Sequence, residues 1–438
     1  MPKTPQDTGT ELGLPERVVL AGIRDSGSRR ASSIGGRSIP LEESMEELSR
    51  LAETMDYDPC AFITQERDSP DSATYLGKGK VQELKELVDR EGASGVIVDG
   101  MLSPTQARNL EDALEKPVMD RTELILRIFA SRASTSEGKL QVELARRKHD
   151  LTRLSGFGVE MSNLGGGIGT RGPGEQKIEV DRRTLRERIS RLSRELDKVE
   201  RVRAEQRKQR KESGIPRISL VGYTNAGKST LFNALTGEES YADDKLFATL
   251  DPWTRKWTLP SGEGVLLVDT VGFIQGLPHE LVAAFRATLE ESVDADVLVH
   301  VVDLSSKAWP QQMATVNGVL SDLGVEGRPK ITCFNKVDRV NLQDVDVVSR
   351  LHPGSLAISA LQETNLVELV AAVARELAGK RQTVSWRVPY SKWDVVFEIK
   401  RVGIVREERH GDDSAVIVCD LSPEDIAKFS GKLGVKPL

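Results

Sequence analysis

The sequence predicts an α/β protein. An N-terminal parallel α/β domain comes first, then a helical hairpin, a P-loop domain with a doubly wound sheet and a small C-terminal α+β module. Three observations predict it. Short apolar runs alternate with helix-length segments over residues 17–132 and again over 213–380, as in parallel sheets covered by helices. Between these regions, apolar residues recur at intervals of four and three, the seam of two packed helices. Finally, residues 218–230 run from an apolar strand through Gly222, four residues and Gly227-Lys228-Ser229 into a helix that begins at Thr230.

The chain has 438 residues, enough for about three domains. Its 38% hydrophobic and 29% charged content suits soluble globular domains. No apolar run reaches the roughly 18 residues that a transmembrane helix needs. The first residues lack the apolar core of a signal peptide, so residues 1–16 read as a disordered tail. Cys60, Cys333 and Cys419 are far apart and the five histidines are scattered, which excludes a disulfide framework or zinc pattern and fits a reducing, cytoplasmic setting. With a net charge of −6, any nucleic-acid partner must be held by local basic patches.

In chain order, strands are expected at 17–23, 60–65, 95–99 and 117–120, and helices at 41–55, 78–90, 103–114 and 123–131. Ser103-Pro104 reads as a helix cap followed by a first-turn proline. The segment Tyr75-Leu-Gly-Lys-Gly-Lys80 reads equally as a phosphate contact or a plain turn. A helical domain follows over 133–212. It begins with a charged helix at 137–153, and its segment 164–174 is so rich in glycine that it must be a mobile loop. Leu185, Ile189, Leu192, Leu196 and Val199 form the seam of the next helix. That helix ends in Arg201, Arg203, Arg207, Lys208, Arg210 and Lys211, either a solvated face or an RNA contact. The alternation resumes with strands at 265–269, 297–303, 330–335 and 356–359. Residues 381–438 make the tail module, with a helix at 391–401 and a strand at 414–420.

The P-loop residues Gly222, Tyr223, Thr224, Asn225, Ala226, Gly227, Lys228, Ser229 and Thr230 imply a nucleoside triphosphate. Glycines let backbone N–H groups turn toward phosphate oxygens, and the helix start adds its positive dipole end. Lys228 can reach the β- and γ-phosphates, and Ser229 can ligate Mg²⁺. Asp269, Thr270, Val271 and Gly272 close an apolar strand, as expected of a carboxylate near Mg²⁺ and an amide that senses the γ-phosphate. Asn335, Lys336, Val337 and Asp338 close another. A carboxylate at Asp338 can accept from both guanine N1–H and the exocyclic amine, which selects GTP. Lys336 can pack along the base, and the backbone of Ser359, Ala360 and Leu361 can meet the guanine oxygen. Phe247, Ala248, Thr249, Leu250 and Asp251 form a loop that orders around the γ-phosphate, with Thr249 the second hydroxyl for Mg²⁺.

These motifs resemble the Obg–HflX group of translation-associated GTPases, and within it the HflX family. The distinguishing residues are 222–230, 247–252 and 269–274, joined outside the G domain by 75–80, 138–144 and 164–175. The resemblance runs from about residue 17 to the C-terminus. It implies a cytoplasmic, monomeric GTPase, producing GDP and phosphate, that binds the large (50S) ribosomal subunit and its rRNA. It further implies a role in splitting or rescuing stalled ribosomes under stress. Two residues depart from the family pattern: Trp253 replaces a small hydroxyl residue, and Gln176 replaces threonine.

Phe273 follows Gly272, where Ras-like enzymes use glutamine to orient the attacking water. Phenylalanine cannot do so, and slow intrinsic hydrolysis is expected. The chemistry then rests on Lys228, Thr249 and the Gly272 amide, with an external group supplied by the ribosome. Asn225 is also expected to help hold a K⁺ ion beside the phosphates. The alternative is a nucleotide-gated RNA-binding module in which hydrolysis is incidental.

Overall fold

The computed structural model describes residues 16–25, 40–155, 173–212, 215–237, 246–247, 252–274, 294–325, 327–379, 382–421 and 423–437. The fold is mixed α/β, and three sheets organise it. In the first, β1 (Glu16–Asp25), β2 (Tyr57–Arg67), β3 (Gly95–Asp99) and β4 (Val118–Asp120) lie in the order β2-β1-β3-β4. Every pairing in it is parallel. Val96, Ile97 and Val98 of β3 are buried, as a strand covered on both faces requires.

Helices α1 (Leu41–Thr54) and α4 (Arg121–Arg132) cover one face, and α2 (Lys78–Glu91) and α3 (Pro104–Leu114) the other. The start of α3 follows the sequence expectation. The Ser103 side chain accepts from Gln106 N, Gln106 answers in a reciprocal capping box, and proline occupies the first turn. The Tyr75–Lys80 segment is a turn into α2, with Tyr75 Oη donating to Asp99 O at 2.8 Å.

Helix α5 (Ser136–Ser155) and the 40-residue α6 (Pro173–Glu212) form the helical pair. Leu140, Leu144, Ile189, Leu192 and Leu196 make their seam, while Leu185 and Val199 at the ends of the expected seam are only half-buried. At 1.5 Å per residue, α6 spans about 60 Å before the chain enters the P-loop strand. The glycine-rich segment lies outside the described residues except for its last two, which begin α6. Of the basic residues expected at the end of α6, only Arg201 has a described side chain, and it is exposed.

The second sheet has the order β10-β9-β8-β5-β7-β6. It comprises β5 (Arg217–Gly222), β6 (Trp253–Thr258), β7 (Gly264–Asp269), β8 (Val297–Asp303), β9 (Lys330–Asn335) and β10 (Leu356–Ala357). Helices α7 (Lys228–Thr236), α8 (Trp309–Asp322), α9 (Leu342–Leu351) and α10 (Leu366–Ala378) pack against it. Strand β6 corrects the sequence reading, which placed no strand there. Only Trp257 of its six residues is buried, and it pairs antiparallel to β7 at the sheet edge. The expected strand at 356–359 is reduced to two residues, and Ser359 instead bridges to Thr364.

The tail sheet, β11 (Gln382–Pro389), β12 (Ile404–His410) and β13 (Ser414–Leu421), is antiparallel in the order β11-β13-β12. Helices α11 (Trp393–Val402) and α12 (Pro423–Leu433) close its core around Trp386, Ile417 and Phe429. Strands β11 and β12 and helix α12 were not anticipated from the sequence. The expected helix at 391–401 begins at Trp393, after a 3₁₀ turn at Tyr390–Lys392.

Candidate active site

The carboxyl ends of β5, β7, β8 and β9 converge where parallel sheets commonly hold ligands. Gly222 ends β5, and the loop from Tyr223 to Gly227 turns into α7 at Lys228. Gly227 has φ +91, a conformation side chains resist, and a Cβ there would collide with Asn335 Nδ2. The glycine therefore serves both the turn and its docking on β9.

Lys228 is buried, and its Nζ donates to the carbonyls of Gly222 and Tyr223 at 3.2 and 2.9 Å. Burial and, less strongly, Lys336 lower its pKa to about 8 against the pull of Asp269. Ser229 Oγ donates to Asp269 Oδ2 at 2.7 Å. Thr270 is fully buried, and its hydroxyl donates to Leu220 O at 2.6 Å, fixing the segment after β7 to the P-loop strand. Gly272 allows a close approach, since a Cβ there would lie 2.7 Å from Thr224 Cα and 3.1 Å from Lys228 Nζ.

The expected base-reading residues form one network. Asn335 Nδ2 donates to Ala226 O at 2.8 Å, and its Oδ1 accepts from Ala360 N at 2.9 Å, so one side chain clips the P-loop to the Ser359–Ala360 turn. Ser359 Oγ donates to the Asp338 carboxylate at 2.5 Å, and Asp338 is itself exposed. Lys336 sits at φ +65, with Nζ bonded to Asn225 O at 2.7 Å and Asp303 Oδ2 at 2.8 Å. Its role therefore includes anchoring the P-loop as well as lining the site. Asn225 is also left-handed, at φ +57. Leu361 is largely exposed, and Val337 opens a short 3₁₀ turn.

Asp303 and Thr224 have roles the sequence reading did not assign. Asp303 could have been suspected as an acid at the end of a buried parallel strand. Thr224 Oγ1 accepts from Phe247 N at 3.2 Å, a tie between segments that no local pattern announces. Thr249 and its neighbours Ala248, Leu250 and Asp251 lie outside the described residues.

Phe273 is buried, and its backbone continues the sheet, donating to Gly222 O at 3.1 Å and accepting from Thr224 N at 2.7 Å. Its ring joins Tyr223, Leu246, Phe247 and Val271 in an apolar cluster with Leu48, Leu51, Ile125 and Phe129 of the first sheet's helices. Phe129 and Phe247 meet edge to face at 4.6 Å, and Thr54 Oγ1 accepts from Leu246 N at 3.3 Å. Leu246 and Phe247 and the residues after β7 are thus both held against the N-terminal half.

Three family models match consecutive stretches of the chain. Residues 42–130 match the N-terminal region of GTP-binding GTPases, 132–210 their middle region, and 217–336 the 50S ribosome-binding GTPase domain. Among curated relatives, GTPase HflX of Caldanaerobacter subterraneus subsp. tengcongensis is 47% identical over 87% of this chain and 88% of its own. The GTPase HflX of Alkalihalophilus pseudofirmus is 48% identical over 83% of each chain. That of Escherichia coli K12 is 40% identical over 85% of this chain and 88% of its own. Among the described residues, no helix is long and apolar enough to cross a membrane.

Proposed function

The chain belongs to the HflX family of GTPases, and from that premise we propose that it is a switch completed by the large (50S) ribosomal subunit and its rRNA. In this reading it acts as a cytoplasmic monomer in the splitting or rescue of stalled ribosomes under stress. The observation that carries the reading is the buried position of Phe273. A buried phenyl ring offers no hydrogen bond to an attacking water, so the isolated protein turns over slowly and an outside group supplies what is missing. Such a group contributes roughly 10³–10⁵ in rate in related phosphoryl transfers.

The residues divide the work. Lys228 and the backbone amides of the P-loop bind the phosphates and stabilise charge that develops in hydrolysis. Asp338, held by Ser359, reads guanine, while Asn335 and Lys336 hold the P-loop in register with it. The donor set fits Mg²⁺, because Ser229 Oγ and the Asp269 carboxylate are hard oxygen groups 2.7 Å apart. Among the described residues no cluster of three or more His, Cys, Asp or Glu competes for a metal. Ser229 and Thr249 would hold the ion, which when bound neutralises phosphate charge. The left-handed Asn225 is assigned to a K⁺ ion beside the phosphates.

Sedimentation with purified large subunits tests the reading. The chain should co-sediment with a non-hydrolysable GTP analogue and be released with GDP. Replacing residues 165–174 by a Ser/Ala linker should leave GTP affinity intact while removing the stimulation of turnover by subunits. Equal binding in both nucleotide states would remove the switch, and full stimulation of the linker variant would reduce the loop to a hinge.

A further inference from the structure

Trp253 opens β6, the edge strand that follows the Phe247–Pro252 segment, and it pairs across the sheet with Asp269. Residues 253, 255 and 257 share one face by strand alternation. Trp257 ends in the core beneath α7, but Trp253 keeps 40% of its surface exposed. The Arg255 guanidinium lies 5.5 Å from the centre of the Trp253 ring, a cation–π contact that braces the indole. Lys256 follows on the strand's other side, with no carboxylate partner among the described residues. Strand β6 pairs only with β7 among those residues, leaving this corner at the rim of the sheet.

We infer that Trp253, braced by Arg255, is a stacking platform for an unpaired RNA base beside the nucleotide site. An exposed indole is unfavourable in water and gains by covering a flat apolar partner. Every base has a π-face, but only an unstacked base can present it, and the neighbouring cations suit its phosphates. A protein partner would also accept a Trp–Arg pair. The Arg255 guanidinium held against the ring favours RNA, because it sets a positive charge beside the stacking surface in a chain carrying net charge −6. The inference rests on the ribosomal reading above and adds a contact point to it.

The test compares wild type, Trp253→Ala and Trp253→Phe in two assays, with GTP affinity as the check on folding. One assay is co-sedimentation with large subunits in the GTP-analogue state. The other is binding of an unstructured RNA oligomer, followed by ultraviolet crosslinking and mapping of the attached peptide. Trp253→Ala should weaken both about 5- to 100-fold, Trp253→Phe should retain most binding, and the crosslink should fall on the β6 peptide. If subunits bind wild type and Trp253→Ala alike, the platform is wrong and the ribosomal reading stands. If subunits fail to bind wild type while the oligomer binds through Trp253, the platform stands and the ribosomal reading falls. If Trp253→Ala weakens binding to subunits but leaves the oligomer bound as tightly as wild type, the assignment of the partner as RNA is overturned.

Discussion

At the carboxyl edge of the β2-β1-β3-β4 sheet, Asp99 and Glu47 close on Arg121; at the same edge of the β10-β9-β8-β5-β7-β6 sheet, Lys228 Nζ donates to the carbonyls of its own loop and makes no ion pair among the described residues. Arg121 Nη1 lies 2.7 Å from Asp99, which also accepts from Ser44 Oγ at 2.6 Å. Burial works against the Arg121 charge, but the two carboxylates outweigh it and raise its pKa. Lys228 is as deeply set, yet its pKa falls. The two sheets share an architecture and a buried cation at the strand ends. In one the cation is ion-paired within the fold, and in the other only the pull of Asp269 offsets its burial. Architecture alone therefore does not mark a ligand site; unmet charge does.

The largest effect should come from breaking the closed cluster. Arg121→Met should cost roughly 3–5 kcal/mol of stability, because Asp99 and Glu47 would remain buried without a counter-charge. Denaturant titration measures it, and adding Asp99→Asn with Glu47→Gln should restore most of the loss. A single-variant cost below about 1 kcal/mol would mean the cluster is wetter than its burial indicates.

On the open side, Asp338→Asn should weaken GTP about 100-fold or more, since two charge-assisted hydrogen bonds to guanine at roughly 1.5–3 kcal/mol each are altered. Xanthosine triphosphate should then bind better than GTP, because an amide can donate to the carbonyl that replaces the guanine amine. Competition binding of the two nucleotides checks this, and unchanged preference would remove Asp338 from base reading.

The smallest effect is a proton linkage. With Lys228 lowered to about 8 in the free protein, a bound triphosphate favours the ammonium and raises that value. Binding then takes up a proton. Affinity should be flat below about pH 8 and fall by up to about tenfold per pH unit above it, until the pKa of the complex is reached. Calorimetry in buffers of different ionisation enthalpy measures the uptake, and a pH-independent affinity up to about pH 9 would contradict it.

The parts read correctly from sequence are those that local physics dictates. Strands β5 and β8 are largely apolar and buried almost throughout, as strands covered on both faces are, and the Gly-Lys-Ser turn follows β5 directly. Strand β6 escaped because Trp-Thr-Arg-Lys-Trp-Thr lies at an edge and buries one side chain, and β12, Ile-Val-Arg-Glu-Glu-Arg-His, because it is dominated by charge. Burial on one face of an edge strand leaves little pattern to read. The site's unforeseen ties have a different cause. Asp303 to Lys336, Thr224 to Phe247 and Thr54 to Leu246 join residues 33, 23 and 192 positions apart, so they exist only once the sheets are assembled.

In the proposed function, a buried Lys228 without an ion pair and a buried Phe273 make a GTPase that waits for the large ribosomal subunit. GTP turnover, measured with and without purified 50S subunits in K⁺ and in Na⁺, tests it most directly. Turnover should be slow alone, rise about 10³-fold or more with subunits in K⁺, and rise less in Na⁺. Subunits that bind the GTP form yet leave turnover at its basal rate would contradict it and make the chain a nucleotide-gated binding module.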